Sequence, residues 1–151
     1  MVKLNKNTQV CISISSNPSN TGTFLHNACY DAQGLDFIYK AFKVTDLEAT
    51  IRGVRALNIR GCSVSMPFKQ TIIKYLDEIS PLVKQVKCVN TVLNDNGRLI
   101  GHNTDLMGVL KIIGNADIDA NDSVLILGAG GMARALIVAF QKLGINKISI
   151  S

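Results

Sequence analysis

Apolar and polar positions alternate along this chain in short blocks, and the period of each block predicts its element. Thr8–Ile14 is a β-branched and apolar run that predicts a strand, and Ser15 to Gly22 is a dense Ser/Asn/Pro/Gly cluster that predicts a loop. A helix is expected over Thr23–Gln33, ended by Gly34, and a second strand over Phe37–Val44. Thr45 followed by Glu48 has the spacing of a capping box, and Leu47, Ile51, Val54 and Leu57 fall on one face of the helix after it. Ile59–Met66 predicts a third strand, stopped by Pro67, with short helices over Lys69–Leu76 and Pro81–Val86. Strands at Cys88–Leu93 and Arg98–His102 flank Asn94-Asp95-Asn96-Gly97, a hairpin signal, and Asn103 or Thr104 caps a helix running to Ile113.

The segment from Gly114 to Asp122 is polar and rich in turn formers, so it predicts a junction. Ser123–Leu127 is then a buried-strand run that feeds directly into Gly128-Ala129-Gly130-Gly131-Met132-Ala133. A helix with apolar Ala135, Leu136, Val138, Ala139 and Leu143 follows, ending near Gly144, and Lys147–Ser151 starts another strand. Helices alternate with strands throughout, which implies an α/β fold with a mostly parallel sheet.

The glycine segment has the context that gives a GxGxxG pattern meaning: a strand before it, a helix after it and a further strand within about 30 residues. Gly128 is expected to make the tight turn and Gly130 to let the backbone approach a pyrophosphate. Ala133, a permitted substitute for the third glycine, keeps the helix close to the sheet. Helix N–H groups then face the phosphates. Only one βαβ unit fits between Ser123 and Ser151, and a dinucleotide domain needs two βαβαβ halves. The chain is therefore expected to be the N-terminal part of a longer enzyme.

Composition narrows the functional classes. Of 151 residues 47% are hydrophobic and 18% charged, which excludes a disordered chain. No apolar run is long enough to span a bilayer, and the polar start, Met1–Gln9, is not followed by a signal-type core. The net charge of +5 is dispersed and lacks aromatic interleaving, so neither nucleic acid nor membrane is expected as a partner. Cys11, Cys29, Cys62 and Cys88 form no CxxC pair and only two histidines accompany them; reduced core thiols, no metal site and a cytoplasmic protein are expected.

Three polar clusters fall at predicted strand ends: Gly61-Cys62-Ser63-Val64-Ser65-Met66-Pro67-Phe68-Lys69, then Val89-Asn90-Thr91, then Gly101-His102-Asn103-Thr104-Asp105. Ligands of α/β sheets bind beyond the carboxyl ends of strands, so together with the glycine loop these clusters point to a substrate site.

In that order, and followed by GAGGMA, these clusters resemble the shikimate dehydrogenase family over about Val10 to Ser151. The resemblance implies a substrate-binding catalytic domain over residues 1–104. It also implies a linking helix and the first part of a Rossmann NADP-binding domain over 105–151. It implies NADPH-dependent, reversible reduction of 3-dehydroshikimate to shikimate, in aromatic amino-acid biosynthesis, by a monomer or homodimer. Lys69 and Asp105 match the catalytic pair, and Asn90 a substrate-binding asparagine. Ser65 stands for a substrate-binding threonine, Ser63 replaces an asparagine, and Gly128, Ala129, Gly130, Gly131, Met132 and Ala133 match the pyrophosphate loop. The loop that holds the substrate carboxylate in the family through two serines is two residues shorter here. Asn20 and Gly22 occupy the serine positions, with Thr21 and Thr23 as hydroxyl sources. A quinate/shikimate dehydrogenase of altered preference, or a non-catalytic NADP(H)- or metabolite-binding sensor, are the alternatives that this departure leaves.

Overall fold

The computed structural model describes residues 4–116 and 118–151. Residues 1–3, at the start of the polar N-terminal stretch, and Asp117, inside the polar junction, lie outside the described residues. The first sheet has six strands in the order β2-β1-β3-β5-β6-β4. These are β1 (Gln9–Ser15), β2 (Phe37–Lys43), β3 (Gly61–Val64), β4 (Glu78–Ile79), β5 (Thr91–Asp95) and β6 (Arg98–His102). β1 runs parallel to β2 and β3, and β4 parallel to β6, while β5 is antiparallel to both its neighbours. The hairpin forces the reversal between β5 and β6: Asn96 and Gly97 both take positive φ, at 52° and 91°, as a tight two-residue turn requires.

The period of two sorts the strand residues by face. Ile12, Ile14, Cys62, Val64, Val92 and Leu99 are buried together and pack against Ile51 and Val54 of helix α2 (Leu47–Ala56). On the opposite face, helix α1 (Thr21–Ala32) is tied to β2 rather than sunk into a core. The Asn27 side-chain amide donates to the Tyr39 carbonyl at 2.8 Å and its oxygen accepts the Tyr39 N–H at 2.9 Å. The His26 ring stacks on the Tyr39 ring, their centres 4.2 Å apart.

Several local expectations are corrected. The cap of α2 is Asp46, not Thr45: its carboxylate accepts the Ala49 N–H at 2.9 Å, and Glu48 turns outward to pair with Arg52. Leu57 is exposed because the helix ends at Ala56 and Asn58 then takes a positive φ, so Ile59 packs on the core in its place. The single helix expected over Lys69–Leu76 is a short α3 (Phe68–Thr71) running into a 3-10 turn, Ile72–Tyr75. The strand expected from Cys88 starts at Thr91 instead, since the Val89 N–H is taken by the Lys69 carbonyl at 2.7 Å. Strand β4 has two residues, too few to show a period. Helix α4 (Pro81–Val86) has the expected bounds.

The second sheet is β7 (Ser123–Ile126) parallel to β8 (Lys147–Ile150), joined by helix α6 (Gly131–Lys142). Helix α5 (Asp105–Ile113) packs on α6, and its Leu106, Val109 and Ile113 share a second core with Ile126, Ala135, Ala139 and Phe140. Val86 and Cys88, at the end of α4 and just past it, are buried in this second core as well. That contact holds the glycine loop against the carboxyl end of β3.

Candidate functional site

Lys69 reaches its position because the chain turns sharply after β3. The Ser65 N–H donates to the Ile14 carbonyl at 2.9 Å, and the Phe68 N–H donates back to the Ser65 carbonyl at 2.9 Å, so Lys69 sits on the first turn of α3. Asp105 is the first residue of α5, and the capping there is divided between two residues. Thr104 occupies the cap position, while the buried Asn103 supplies the oxygen that accepts the Leu106 N–H at 3.0 Å. The Asn103 amide also donates to the Cys88 carbonyl at 2.9 Å, which pins the start of α5 to the segment before β5 that carries Asn90.

These supports bring the three charged or amide groups into contact. The Lys69 ammonium lies 2.6 Å from Asp105 Oδ2, with side chains 19% and 15% exposed, so the pair is mostly withdrawn from water yet still reachable. The Asn90 amide donates to Asp105 Oδ1 at 2.8 Å and to the Thr104 hydroxyl at 2.8 Å. Its oxygen accepts the Thr91 hydroxyl at 3.0 Å and the Thr104 N–H at 3.0 Å. Both donors and both lone pairs of Asn90 are thus engaged. The amide can take only one orientation, and it holds the Asp105 carboxylate toward Lys69.

Ser63 faces the same side of the sheet as Ser13, Thr91 and His102, in one row across four strands. Ser65 lies just past β3 and lines a cleft of about 230 Å³ together with Met66 and Lys69 on one side and Gly128, Gly130 and Gly131 on the other. The first-loop residues Thr21 and Thr23 do not line this cleft. Thr21 is exposed on the first turn of α1, and the Thr23 hydroxyl already accepts the Ala41 N–H at 3.3 Å. Gly22 packs against the Tyr39 ring, 3.4 Å from where a Cβ would stand.

The glycine loop fits a nucleotide by three observations. Gly128 takes φ +99°, which a residue with a Cβ resists. A Cβ on Gly130 would meet nothing within 4 Å, so the loop leaves space there that a ligand can occupy. Helix α6 begins with no capping side chain and no acid in its first turn, so its N–H groups are available to an anion. Ala133 is buried where the helix meets the sheet, and Ala129 and Met132 are exposed at the loop. Among the described residues no group of three or more His, Cys, Asp or Glu side chains is gathered as for a metal.

Cys88 lies beneath this cluster. Burial pushes its thiol up from the ordinary range, with Lys69 pulling the other way. Sequence reasoning named neither Cys88 nor Thr91 as a site residue. Thr91 had a signal, since it belongs to the polar Val89-Asn90-Thr91 cluster, whereas nothing local marks Cys88.

Comparison with known proteins gives the same outline. The family model described as shikimate dehydrogenase substrate binding domain matches residues 16–92. A shikimate dehydrogenase-like protein of Haemophilus influenzae is 50% identical over 147 residues, covering 97% of this chain and 54% of that protein. The NADP(+) shikimate dehydrogenase of Symbiobacterium thermophilum is 40% identical over 129 residues, covering 83% of this chain and 44% of that protein. The solved shikimate 5-dehydrogenase of Listeria monocytogenes, in complex with shikimate and NAD, superposes with a TM-score of 0.83 at 38% identity. That match covers 99% of this chain and 53% of the other. The chain spans about half the length of the curated relatives it matches.

Proposed function

This chain belongs to the shikimate dehydrogenase family, and from that premise we propose that it forms the substrate-binding half of an NADP-dependent oxidoreductase that interconverts 3-dehydroshikimate and shikimate. The observation that carries the reading is the Lys69–Asp105–Asn90 constellation, which meets the glycine loop across a shared cleft. A bound nicotinamide nucleotide supplies the hydride in one direction and takes it in the other. Gly128, Ala129, Gly130, Gly131, Met132 and Ala133 hold its pyrophosphate by backbone N–H groups.

In the reducing direction the Lys69 ammonium donates a proton to the substrate oxygen as the C=O bond becomes an alkoxide, and in reverse Lys69 accepts that proton. Its positive charge stabilises the alkoxide as it develops. Asp105 binds the same hydroxyl and holds Lys69 in register, and Asn90 fixes the carboxylate. Ser63 and Ser65 supply hydrogen bonds to the remaining substrate hydroxyls, and Thr21 and Thr23 to its carboxylate. The division of labour falls at 104/105. This is supported by the first core, which draws on buried residues no further along than Leu99, and by the second, which is built mainly from Leu106 onward. A cytoplasmic setting is in keeping with four free thiols and with the absence, among the described residues, of a helix long and apolar enough to cross a membrane.

The test is NADPH oxidation with 3-dehydroshikimate by the natural-length protein. Saturable turnover is expected, and Lys69→Ala should lower kcat by about a thousandfold with KM much less affected. Comparable turnover in that variant would remove Lys69 from the role. NADPH binding without turnover would favour a sensor, and turnover confined to quinate would favour the altered substrate preference that the shortened first loop suggests.

A further inference from the structure

The geometry points to Gly131 as a positioning residue for Lys69, a role of its missing side chain that stands beside the place of its backbone N–H in the pyrophosphate loop. The inference rests on the reading of Lys69 above. A glycine in such a loop is required for one of three reasons: a positive φ, close approach of a ligand, or close approach of another part of the chain. Gly128 answers to the first, with φ +99°. Gly130 answers to the second, since the space beside it is open. Gly131 answers to the third: a Cβ there would stand 2.8 Å from the Cys88 sulfur and 3.1 Å from Cδ of Lys69.

Neither neighbour can yield freely. Cys88 is fully buried, and its carbonyl is held by the Asn103 amide. Lys69 is touched in the middle of its stem while its tip is held 2.6 Å from Asp105. A Cβ added at Gly131 therefore crowds the stem, which must give by a few tenths of an ångström, and this loosens the fit of the ammonium to the carboxylate. Lys69 is set from the front by Asp105 and from behind by the bare backbone of Gly131. Because Gly131 also opens α6, the lysine stem rests on the same turn that cradles the pyrophosphate. The two halves of the reaction centre are thus registered to each other by direct contact.

The test uses the natural-length protein with Gly131→Ala, Gly130→Ala and the double variant Gly131→Ala with Cys88→Ala. Three quantities are measured: acetylation of Lys69 by acetic anhydride without nucleotide, read by mass spectrometry; NADPH affinity by fluorescence; and kcat with 3-dehydroshikimate. Gly131→Ala should speed Lys69 acetylation several-fold and lower kcat by about tenfold to a hundredfold, while weakening NADPH less than Gly130→Ala does, because alanine keeps the backbone N–H that faces the pyrophosphate. Gly130→Ala should instead weaken NADPH by about tenfold and leave Lys69 acetylation as in the parent. Parent-like acetylation in Gly131→Ala, or a loss of NADPH affinity equal to that of Gly130→Ala, would overturn the assignment. Should Gly131→Ala not fold, the double variant removes the sulfur contact and keeps the one with Lys69. Faster acetylation is expected there too, and a parent-like rate would equally overturn it. If the parent protein turns over no 3-dehydroshikimate, the proposed reaction fails while acetylation and affinity still decide the role of Gly131.

Discussion

Asp77 shows how one carboxylate can stitch three elements together. Its Oδ2 accepts from the Arg55 guanidinium at 2.7 Å and from the Leu99 N–H at 2.6 Å, linking the end of α2, the chain before β4 and the start of β6. The Arg55 hydrogen bond, followed by that of Leu99, holds its carboxyl below the ordinary carboxylate range. A carboxyl lowered in the folded state contributes stability that is complete above its unfolded value and is lost as pH falls through the folded one. Asp77→Asn should therefore lower Tm at pH 7, with the gap closing as pH drops below about 4. The effect is modest, because both side chains are partly exposed. A gap of constant size from pH 7 down to pH 2.5 would show that charge is not what Asp77 contributes. Asn90 is the contrasting residue: its amide carries no charge, and all four of its hydrogen-bonding positions are engaged.

At the level of the element, β6 is constrained by what packs over it. A Cβ on Gly101 would stand 2.6 Å from Leu76 Cδ1 and 2.9 Å from Val89 Cγ2. Strand propensity alone favours alanine over glycine, by roughly 0.5–1 kcal/mol. Overpacking opposes it, at about 1–3 kcal/mol, and Val89 is stiff and fully buried. Overpacking should win, so Gly101→Ala is expected to destabilise by about 1–2 kcal/mol in urea unfolding. A variant as stable as the parent would mean that Leu76 and Val89 repack without strain. The hairpin beside it is anchored from below by Asn94, 1% exposed, whose oxygen accepts the Gly97 N–H at 2.8 Å and whose amide donates to the Val54 carbonyl at 3.3 Å. A buried polar residue near the end of β5 is here the link between the turn and helix α2.

Across these 151 residues, the two sheets differ in how much structure supports them. The first core is enclosed by a six-stranded sheet and its helices, whereas β7 and β8 form a sheet of two strands. Leu125, Leu127 and Ile150 are exposed on or beside that smaller sheet. Two strands give few long-range hydrogen bonds, and local opening is easiest where buried contacts are few. In the 151-residue chain, amide exchange should be fast in β7 and β8 and slow in β1 and β3. Equal protection in the two sheets would show that the α5–α6 contact carries the small sheet as firmly as the large one.

The readable part of this protein was the part written in neighbouring residues. Apolar periodicity marked nearly every helix and strand, Asn96-Gly97 announced its turn, and the polar clusters containing Lys69, Asn90 and Asp105 marked residues that the structure brings into contact. Each rests on local geometry: a period, a φ angle, a cap. Local competition blurred the details, as when Asp46 took the cap from Thr45. The tertiary structure alone decided what depends on distant partners. The Lys69–Asp105 contact spans 36 positions in sequence. The saturation of Asn90 needs Thr104 and Asp105, which lie 14 and 15 positions further along. Cys88 and Lys69 stand within 2.8 and 3.1 Å of where a Cβ on Gly131 would be, a closeness that no pattern within the glycine loop can express. Sequence periodicity reports which face of an element is apolar; only packing determines which residues of another element meet it.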